Sequence, residues 1–152
     1  MRGHTHLAFG VLIGILFLKL KAAPSLLDAV FLFLFAALGS LLPDIDYAGS
    51  ILGKRVKVIG AISEHRGLFH SLWFVFLFSL LCYLVIPAYW LIFSVSYLSH
   101  LALDACNHSG IQLFYPVGKR IRGRVKSGGF LDTVLFLGLA VVDVVLLVPG
   151  IT

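Results

Sequence analysis

Residues 67–103 read GLFHSLWFVFLFSLLCYLVIPAYWLIFSVSYLSHLAL, a run of 37 residues with no Asp, Glu, Lys or Arg. A single helix of that length would extend about 55 Å, whereas the hydrocarbon core of a membrane is about 30 Å thick. Pro87 lies near the middle and lacks the N–H that a helix interior requires. The run is therefore predicted to fold back at residues 86–88 and to form two helices, at about 68–86 and 88–106.

The composition of the whole chain points to a membrane protein. Of its 152 residues, 60% are hydrophobic and 12% are charged, against about 45–50% apolar and about 25% charged in soluble domains. These values exclude an ordinary soluble enzyme and a disordered chain. Further apolar runs predict helices at about 4–20, 26–43 and 130–148. We therefore expect an all-α integral membrane bundle of about five helices, with residues 1–152 forming a single domain.

Two features of the sequence bear on its compartment. Two cysteines, Cys82 and Cys106, are too few for a disulfide framework. The first apolar run also resembles a signal peptide that would be cleaved after Ala22 and Ala23, but Pro24 is a poor context for cleavage.

The lysines and arginines predict the orientation of the bundle. With five helices, the N-terminus and the 2–3 and 4–5 loops share one side of the membrane, which carries ten basic residues against two on the other side. The positive-inside rule places that side in the cytoplasm and the C-terminus outside. The expected location is the inner (plasma) membrane. The ten residues are Arg2, Lys54, Arg55, Lys57, Arg66, Lys119, Arg120, Arg122, Arg124 and Lys126, and the two are Lys19 and Lys21.

Ten ionisable residues fall at one depth, near this cytoplasmic interface. Taken alone, each of these residues or neighbouring pairs could have a purely structural role, as a solvated helix exit or a buried hydrogen-bonded pair. Ionisable residues inside membranes are nevertheless costly, face the bundle interior and usually mark function. The common depth of the ten therefore predicts one functional site. They are His4, His6, Asp44, Asp46, Glu64, His65, His70, His100, Asp104 and His108.

Imidazoles and carboxylates without thiolates are the ligands that suit Zn²⁺, Mn²⁺ or Fe²⁺. The set exceeds what one tetrahedral zinc can use, so we expect a centre of two or three metal ions, of the kind that activates water and clamps a displacement at phosphorus. A proton or ion pathway would instead place polar residues along the whole depth of the bundle, and the middle of each helix is apolar. A non-enzymatic metal-binding or metal-transporting protein remains the alternative.

Four sequence blocks in order, over roughly residues 4–120, resemble the signature blocks of the membrane-bound metal-dependent hydrolases, the LexA-regulated type. The family is itself similar to zinc phospholipase C, so the resemblance implies phosphodiester hydrolysis with zinc. It also implies a metal site formed by His6, Asp44, Asp46, His65, His70, His100 and Asp104. The blocks are Thr5-His6 with Gly10; Gly39-Ser40-Leu41-Leu42-Pro43-Asp44-Ile45-Asp46; His65-Arg66-Gly67-Leu68-Phe69-His70-Ser71; and Ser99-His100-Leu101-Ala102-Leu103-Asp104, followed by Gly110 and Tyr115-Pro116.

For such a reaction we expect Asp44 or Glu64 to take the proton of a metal-bound water and Arg66 to stabilise the developing phosphate charge. The basic loops are expected to attract anionic lipid headgroups to the site. Nucleic acid is not an expected partner, because no aromatic residues interleave these charges.

The last helix carries two carboxylates on one face, Asp132 and Asp143, which are 11 residues apart. Asp132 could be a ligand, a residue that orients a ligand, a salt-bridge partner for loop residues such as Arg66, or a carboxylate favoured by a helix N-terminus. Asp143 is expected to pair with a lysine at the level of Lys19 and Lys21. The roles of His4 and His108 stay open.

Overall fold

The computed structural model describes residues 1–21, 24–56, 58 and 65–148. An all-α fold is confirmed in this part of the chain, where the β structure is limited to two isolated bridges. Its α-helices with described bounds are α1 (Gly3–Leu20), α2 (Leu26–Leu41), α3 (Leu72–Val85), α4 (Trp90–Ala105) and α5 (Phe130–Leu147), and this part of the chain also contains the short 3-10 helices η1 (Leu42–Asp46) and η2 (Leu68–His70).

The fold-back of the apolar run is where Pro87 predicts it, since α3 ends at Val85 and α4 begins at Trp90.

Two helix boundaries were predicted wrongly. The second helix ends at Leu41 rather than at 43, because Pro43 lies in the first turn of η1, a tighter helix that carries the chain on to Asp46.

The third helix begins at Leu72 rather than at 68. Residues 68–70 form η2, and Ser71 is extended, with φ −101° and ψ 154°. The backbone N–H of Leu72 then bonds the Leu113 carbonyl, at 2.8 Å, outside its own helix. His70 therefore precedes α3 instead of lying within it.

Within the described ranges, three helical segments are long and apolar enough to cross a membrane: Gly3–Leu20, Leu26–Asp46 and Phe130–Leu147. The apolar α3 has 14 residues, a rise of about 21 Å, so a total of five crossings stays a prediction. Apolar side chains lie outside and ionisable ones inside, as in a membrane bundle. The exposed fraction exceeds 60% for Phe76, Leu84, Phe130 and Val144, whereas Asp104 and His100 are completely buried.

Glycines let the central helices approach closely. A Cβ atom at Gly39 would lie 2.4 Å from the carbonyl oxygen of Phe93, and one at Gly10 would lie 2.6 Å from Oγ of Ser40. Small residues commonly allow such contacts between membrane helices. They bring α1 and α4 against α2, so that the start of α1 and the ends of α2 and α4 meet at one end of the bundle.

Cys106 tests the orientation without an introduced reporter. It is exposed at the end of α4, next to the buried polar cluster, whereas Cys82 is partly buried on α3. If this end faces the cytoplasm, a membrane-impermeant maleimide should label Cys106 in inverted vesicles and not in right-side-out vesicles, and Cys106→Ser should abolish the signal. Labelling of Cys106 from the outer face alone would invert the orientation.

Candidate metal centre

Four completely or largely buried residues place ligand atoms within 4.8 Å of one another: Asp44, His70, His100 and Asp104. The Nε2 atoms of His70 and His100 lie 3.5 and 3.6 Å from Oδ1 of Asp44. These two nitrogens are 3.3 Å apart. Two imidazoles and two carboxylates thus converge on one point between η1, η2 and α4.

A second group of potential ligands consists of Asp44, Asp46 and the half-buried His65. Nδ1 of His65 lies 3.0 Å from Oδ1 of Asp46. Because Asp44 belongs to both groups, it would help to hold a metal ion at either of them.

His70 lies between the two groups, with Nδ1 3.6 Å from Oδ2 of Asp46. Burial lowers the pKa of His70, but Asp44 and Asp46 outweigh this effect and raise it to about 9. Without a metal, a protonated His70 therefore balances part of the charge of these carboxylates. Metal binding at a ring nitrogen of His70 would release the proton from that nitrogen.

His6 lies beside the first group and stacks on His100, with ring centroids 3.8 Å apart. Its Nε2 is 3.3 Å from Oδ1 of Asp104, an oxygen that the Met1 amino nitrogen also contacts. Neither ring nitrogen of the buried His6 has a hydrogen-bond partner within the described protein, nor does Nδ1 of His70. Buried polar atoms are normally satisfied, so these nitrogens fit a centre that binds metal ions.

The helix packing fixes how His100 faces the cluster. Nδ1 of His100 lies 2.7 Å from the Ser40 carbonyl, to which it can donate a hydrogen bond. A bond of this kind sets the tautomer and leaves Nε2 available for a metal. As their spacing predicts, His100 and Asp104 lie one helical turn apart on the same buried face of α4.

Arg66 adopts a left-handed backbone conformation, with φ 65°, which is strained for a residue other than glycine. Its backbone N–H donates to Oδ2 of Asp46 at 3.1 Å. Its guanidinium lies 2.9 Å from Oδ2 of Asp104. Arg66 in this conformation therefore contacts both groups of candidate ligands, the second through Asp46 and the first through Asp104.

A cavity of about 650 Å³ opens onto this cluster, and Asp44, His65 and Arg66 are among its lining residues. Tyr47 also lines it and stacks on His65, with ring centroids 4.7 Å apart. A molecule in this cavity can reach the candidate ligands.

Comparison with known proteins supports a membrane location. The profile of the YdjM inner membrane protein family matches residues 1–149. The chain belongs to this family. Inner membrane protein YdjM of Escherichia coli (strain K12) is 38% identical over 98 residues, which cover 57% of this chain and 50% of that protein. The figures are the same for Shigella flexneri. The chain thus spans about half the length of these YdjM relatives.

The Bacillus subtilis (strain 168) relative, named uncharacterized protein YvsG, is 31% identical over 120 residues, which cover 74% of this chain and 75% of that protein. No solved structure matches the chain. The YdjM family name and the apolar helices together indicate a multi-pass inner membrane protein.

In this YdjM-family chain, the residues predicted as ligands come together at one end. Asp44, Asp46, His65, His70, His100 and Asp104 form the two groups, and His6 adjoins them. Glu64 lies outside the described residues. His4 is exposed and packs edge-on against Phe136, and His108 is exposed, so neither belongs to the two groups.

Asp132 lies apart from both groups and accepts hydrogen bonds from two segments of chain. Its donors are Oγ1 of Thr5 at 2.8 Å, the backbone N–H of Arg2 at 3.2 Å and that of Gly128 at 2.6 Å. Asp132 therefore ties the start of α1, which carries His6, to the start of α5. Of the four roles that the sequence allows, the contacts favour one that positions a ligand-bearing segment, and the guanidinium of Arg66 pairs with Asp104 instead.

The ion pair expected for Asp143 does not form with Lys21. Lys21 binds Asp28 at 2.5 Å, because both residues flank the short α1–α2 connection. Oδ1 of Asp143 is buried without a hydrogen-bond partner among the described residues.

Sequence reasoning quoted Ser40 within a signature block without giving it a role, and it missed Tyr47. Ser40 acts through its backbone carbonyl, which no side-chain pattern reveals. Tyr47 directly follows the Asp44-Ile45-Asp46 block, and this position is the one signal that could have suggested it.

Removing single ligands should change the number of bound metal ions. We expect His100→Ala and Asp104→Ala to lose the ion of the first group, and His65→Ala to lose only that of the second. His108→Ala is the matched control, because this exposed histidine lies near the end of α4 and outside both groups. Elemental mass spectrometry of purified protein gives the stoichiometry, and less than one tightly bound transition metal in wild type would contradict the site.

Asp132→Asn should weaken metal binding although Asp132 is not in either group. Loss of its charge loosens the start of α1 and thereby His6, and such indirect effects reduce metal affinity about 10–100-fold. Chelator competition measures the affinity, and Asp143→Asn, in the same helix, should leave it unchanged. An unchanged affinity in Asp132→Asn, with only lower thermal stability, would limit Asp132 to a structural role.

Proposed function

We propose that this YdjM-family protein is a membrane-embedded metal-dependent hydrolase that cleaves a phosphoester, of the phospholipid type, at the cytoplasmic membrane interface. The observation that carries the proposal is that two groups of histidines and carboxylates share Asp44 next to an open cavity. A pair of metal ions held in this way is suited to displacement at phosphorus, where it acts on both the attacking and the leaving oxygen.

Asp44, His70, His100 and Asp104 would hold one ion, and Asp44, Asp46 and His65 a second. His6, beside Asp104, would complete the first site or take part in a third. Zn²⁺ suits these ligands best, with Mn²⁺ or Fe²⁺ as alternatives. When bound, the ions would lower the pKa of a water molecule toward about 7 and polarise the phosphate.

The proton of that water requires an acceptor. The sequence offers Asp44 and Glu64. Asp44 belongs to both groups of candidate ligands, so its oxygens would be engaged by metal ions. We therefore assign the proton to Glu64, which precedes the candidate ligand His65 in the chain, and give Asp44 the role of a ligand.

Arg66 is suited to bind the phosphate. One part of its guanidinium pairs with Asp104, at 2.9 Å, while its buried Nε has no partner among the described residues. A guanidinium has five N–H donors, so Arg66 can keep this ion pair and still donate to a phosphate oxygen. The ion pair would hold the guanidinium in place before substrate binds, which limits the entropy that binding costs.

The basic residues support a cytoplasmic, lipid-facing site. Arg120, Arg122 and Arg124 belong to the loop between α4 and α5, on the same end as the cluster. Basic residues near an anionic leaflet contribute about 1 kcal/mol each to attraction. The proposed partners are therefore membrane lipids with anionic headgroups.

Metal transport is the second candidate, and the observation that favours it is the buried Oδ1 of Asp143 in α5, which has no hydrogen-bond partner among the described residues. A path across the bundle would need further ligands between the two ends. The buried side chains there include Ile13, Leu32 and Ile92, which offer none.

A turnover assay separates the two candidates. The purified protein in detergent should hydrolyse a fluorescent phospholipid or bis(p-nitrophenyl) phosphate, a chelator should stop the reaction and Zn²⁺ should restore it. Arg66→Gln should lower the rate about 10–100-fold, because a charge-assisted hydrogen bond contributes about 1.5–3 kcal/mol. Arg66→Lys should recover part of it, and Lys21→Gln, at the opposite end of the bundle where Lys21 pairs with Asp28, should have no effect. Metal flux into sealed vesicles without turnover in detergent would favour transport.

A further inference from the structure

We infer that the loop between α4 and α5 has a membrane-contact tip, residues 112–118, whose exposed side chains Phe114 and Val117 insert into an anionic lipid leaflet. Basic residues that follow the tip lie at the headgroups of the same leaflet. The inference goes beyond the proposed hydrolase function and does not rest on it, because it concerns where the loop lies and not what the cavity binds.

Hydrogen bonds give the tip a fixed shape. Ile111 and Ile121 exchange two backbone hydrogen bonds, at 2.9 and 2.8 Å, and these close a hairpin around the tip. The side-chain amide of Gln112 then donates to the carbonyls of Pro116 and Gly118, at 3.1 and 2.9 Å. A tip that is already ordered loses little conformational entropy when it enters a membrane interface.

The apolar side chains of this hairpin fall into two sets. Ile111 is completely buried and Leu113 packs against the hydrophobic core, so these two residues attach the hairpin to the bundle. Phe114 and Val117 are instead more than half exposed. Exposure of such side chains to water is unfavourable, and their transfer into a membrane interface removes that cost.

The tip is joined to the first residue of α3. The Leu113 carbonyl accepts the backbone N–H of Leu72 at 2.8 Å. The first N–H groups of a helix have no partner within the helix and are satisfied from beyond its end. Leu113 therefore lies just beyond the start of α3, and Phe114 is the next residue along the chain.

The surface of α3 indicates the level of the membrane boundary. Trp73 and Phe76, in its first turns, are more than 60% exposed, whereas Val75 faces the core. Tryptophans are enriched where membrane helices meet the headgroups. The start of α3 is thus suited to the interface, and its hydrogen bond to Leu113 brings the tip to the same level.

The charge of the loop favours lipid over a protein partner. Lys119 follows the tip directly and Arg122 lies three residues further on, and both are exposed. Residues 106–129 include no Asp or Glu. Apolar residues flanked by basic ones are typical of segments that lie in an anionic interface. In a symmetric contact between two copies of the chain, the same basic loops would repel each other.

A fluorescent probe measures the surroundings of the tip without requiring turnover. The full-length protein, with Cys82→Ser and Cys106→Ser, would carry Val117→Cys labelled with a nitrobenzoxadiazole dye. His108→Cys, an exposed position at the base of the same loop, is the matched control. Both proteins are placed in nanodiscs of phosphatidylcholine and phosphatidylglycerol, which leave the two faces of the membrane accessible.

The two labels should respond to opposite quenchers. A lipid with a nitroxide near the top of its acyl chain should quench the label at position 117 at least about threefold more than that at position 108, as an inserted apolar tip requires. Aqueous iodide should show the reverse order. Phe114→Ser should lower the lipid quenching at position 117, which shows that the tip and not the dye drives insertion.

The lipid composition tests the charge. Without phosphatidylglycerol, lipid quenching at position 117 should fall, and Lys119→Gln combined with Arg122→Gln should remove this dependence. Quenching that is the same in both compositions would overturn the anionic leaflet as the partner. Equal iodide quenching at the two positions would place the tip in water, and quenching by neither agent would mean that protein covers it. Either result overturns the inference and leaves the hydrolase proposal standing.

Discussion

The buried carboxylate of Asp104 is the constraint on which the site depends. A charge removed from water in this way is tolerated only with close partners, and those of Asp104 come from separate parts of the chain. His6 on α1 lies at 3.3 Å, the guanidinium of Arg66 at 2.9 Å and His70 in η2 at 3.7 Å. Compensating one carboxylate therefore requires α1, α4 and the segment before α3 to meet at the same end of the bundle.

Close helix packing makes this convergence possible. Gly39 lets α2 approach the backbone of α4, where a Cβ atom would lie 2.4 Å from the Phe93 carbonyl. The same approach brings the Ser40 carbonyl within 2.7 Å of Nδ1 of His100. The apolar packing thus also orients a candidate ligand, so that a larger residue at Gly39 would disturb the site as well as the fold.

The sequence predicts the helices well because their causes are local: apolar runs, and a proline that turns the longest of them. It also predicts which end collects the ionisable residues, since helix direction alone sets their depth. It does not predict the ion pair of Arg66 with Asp104 or the tie from Asp132 to Thr5. These contacts depend on how helices rotate about their axes and on a left-handed residue in a loop, and neither property leaves a periodic pattern in the sequence.

The distribution of polarity along the bundle bears on what such a cluster can do. An ion that crosses the membrane needs successive binding sites, and each must release it as readily as it binds it. Here the ligands concentrate at one end, where two groups share Asp44, while Ile13 and Ile92 fill the interior beyond them. Ions held by this many buried ligands would be retained, not passed on. The cavity opens at that same end and includes Arg66 in its lining, so an anionic substrate of the proposed kind could reach ions held there without crossing the bilayer. Ions retained in this way beside an accessible cavity would favour a reaction at the membrane interface over passage through it.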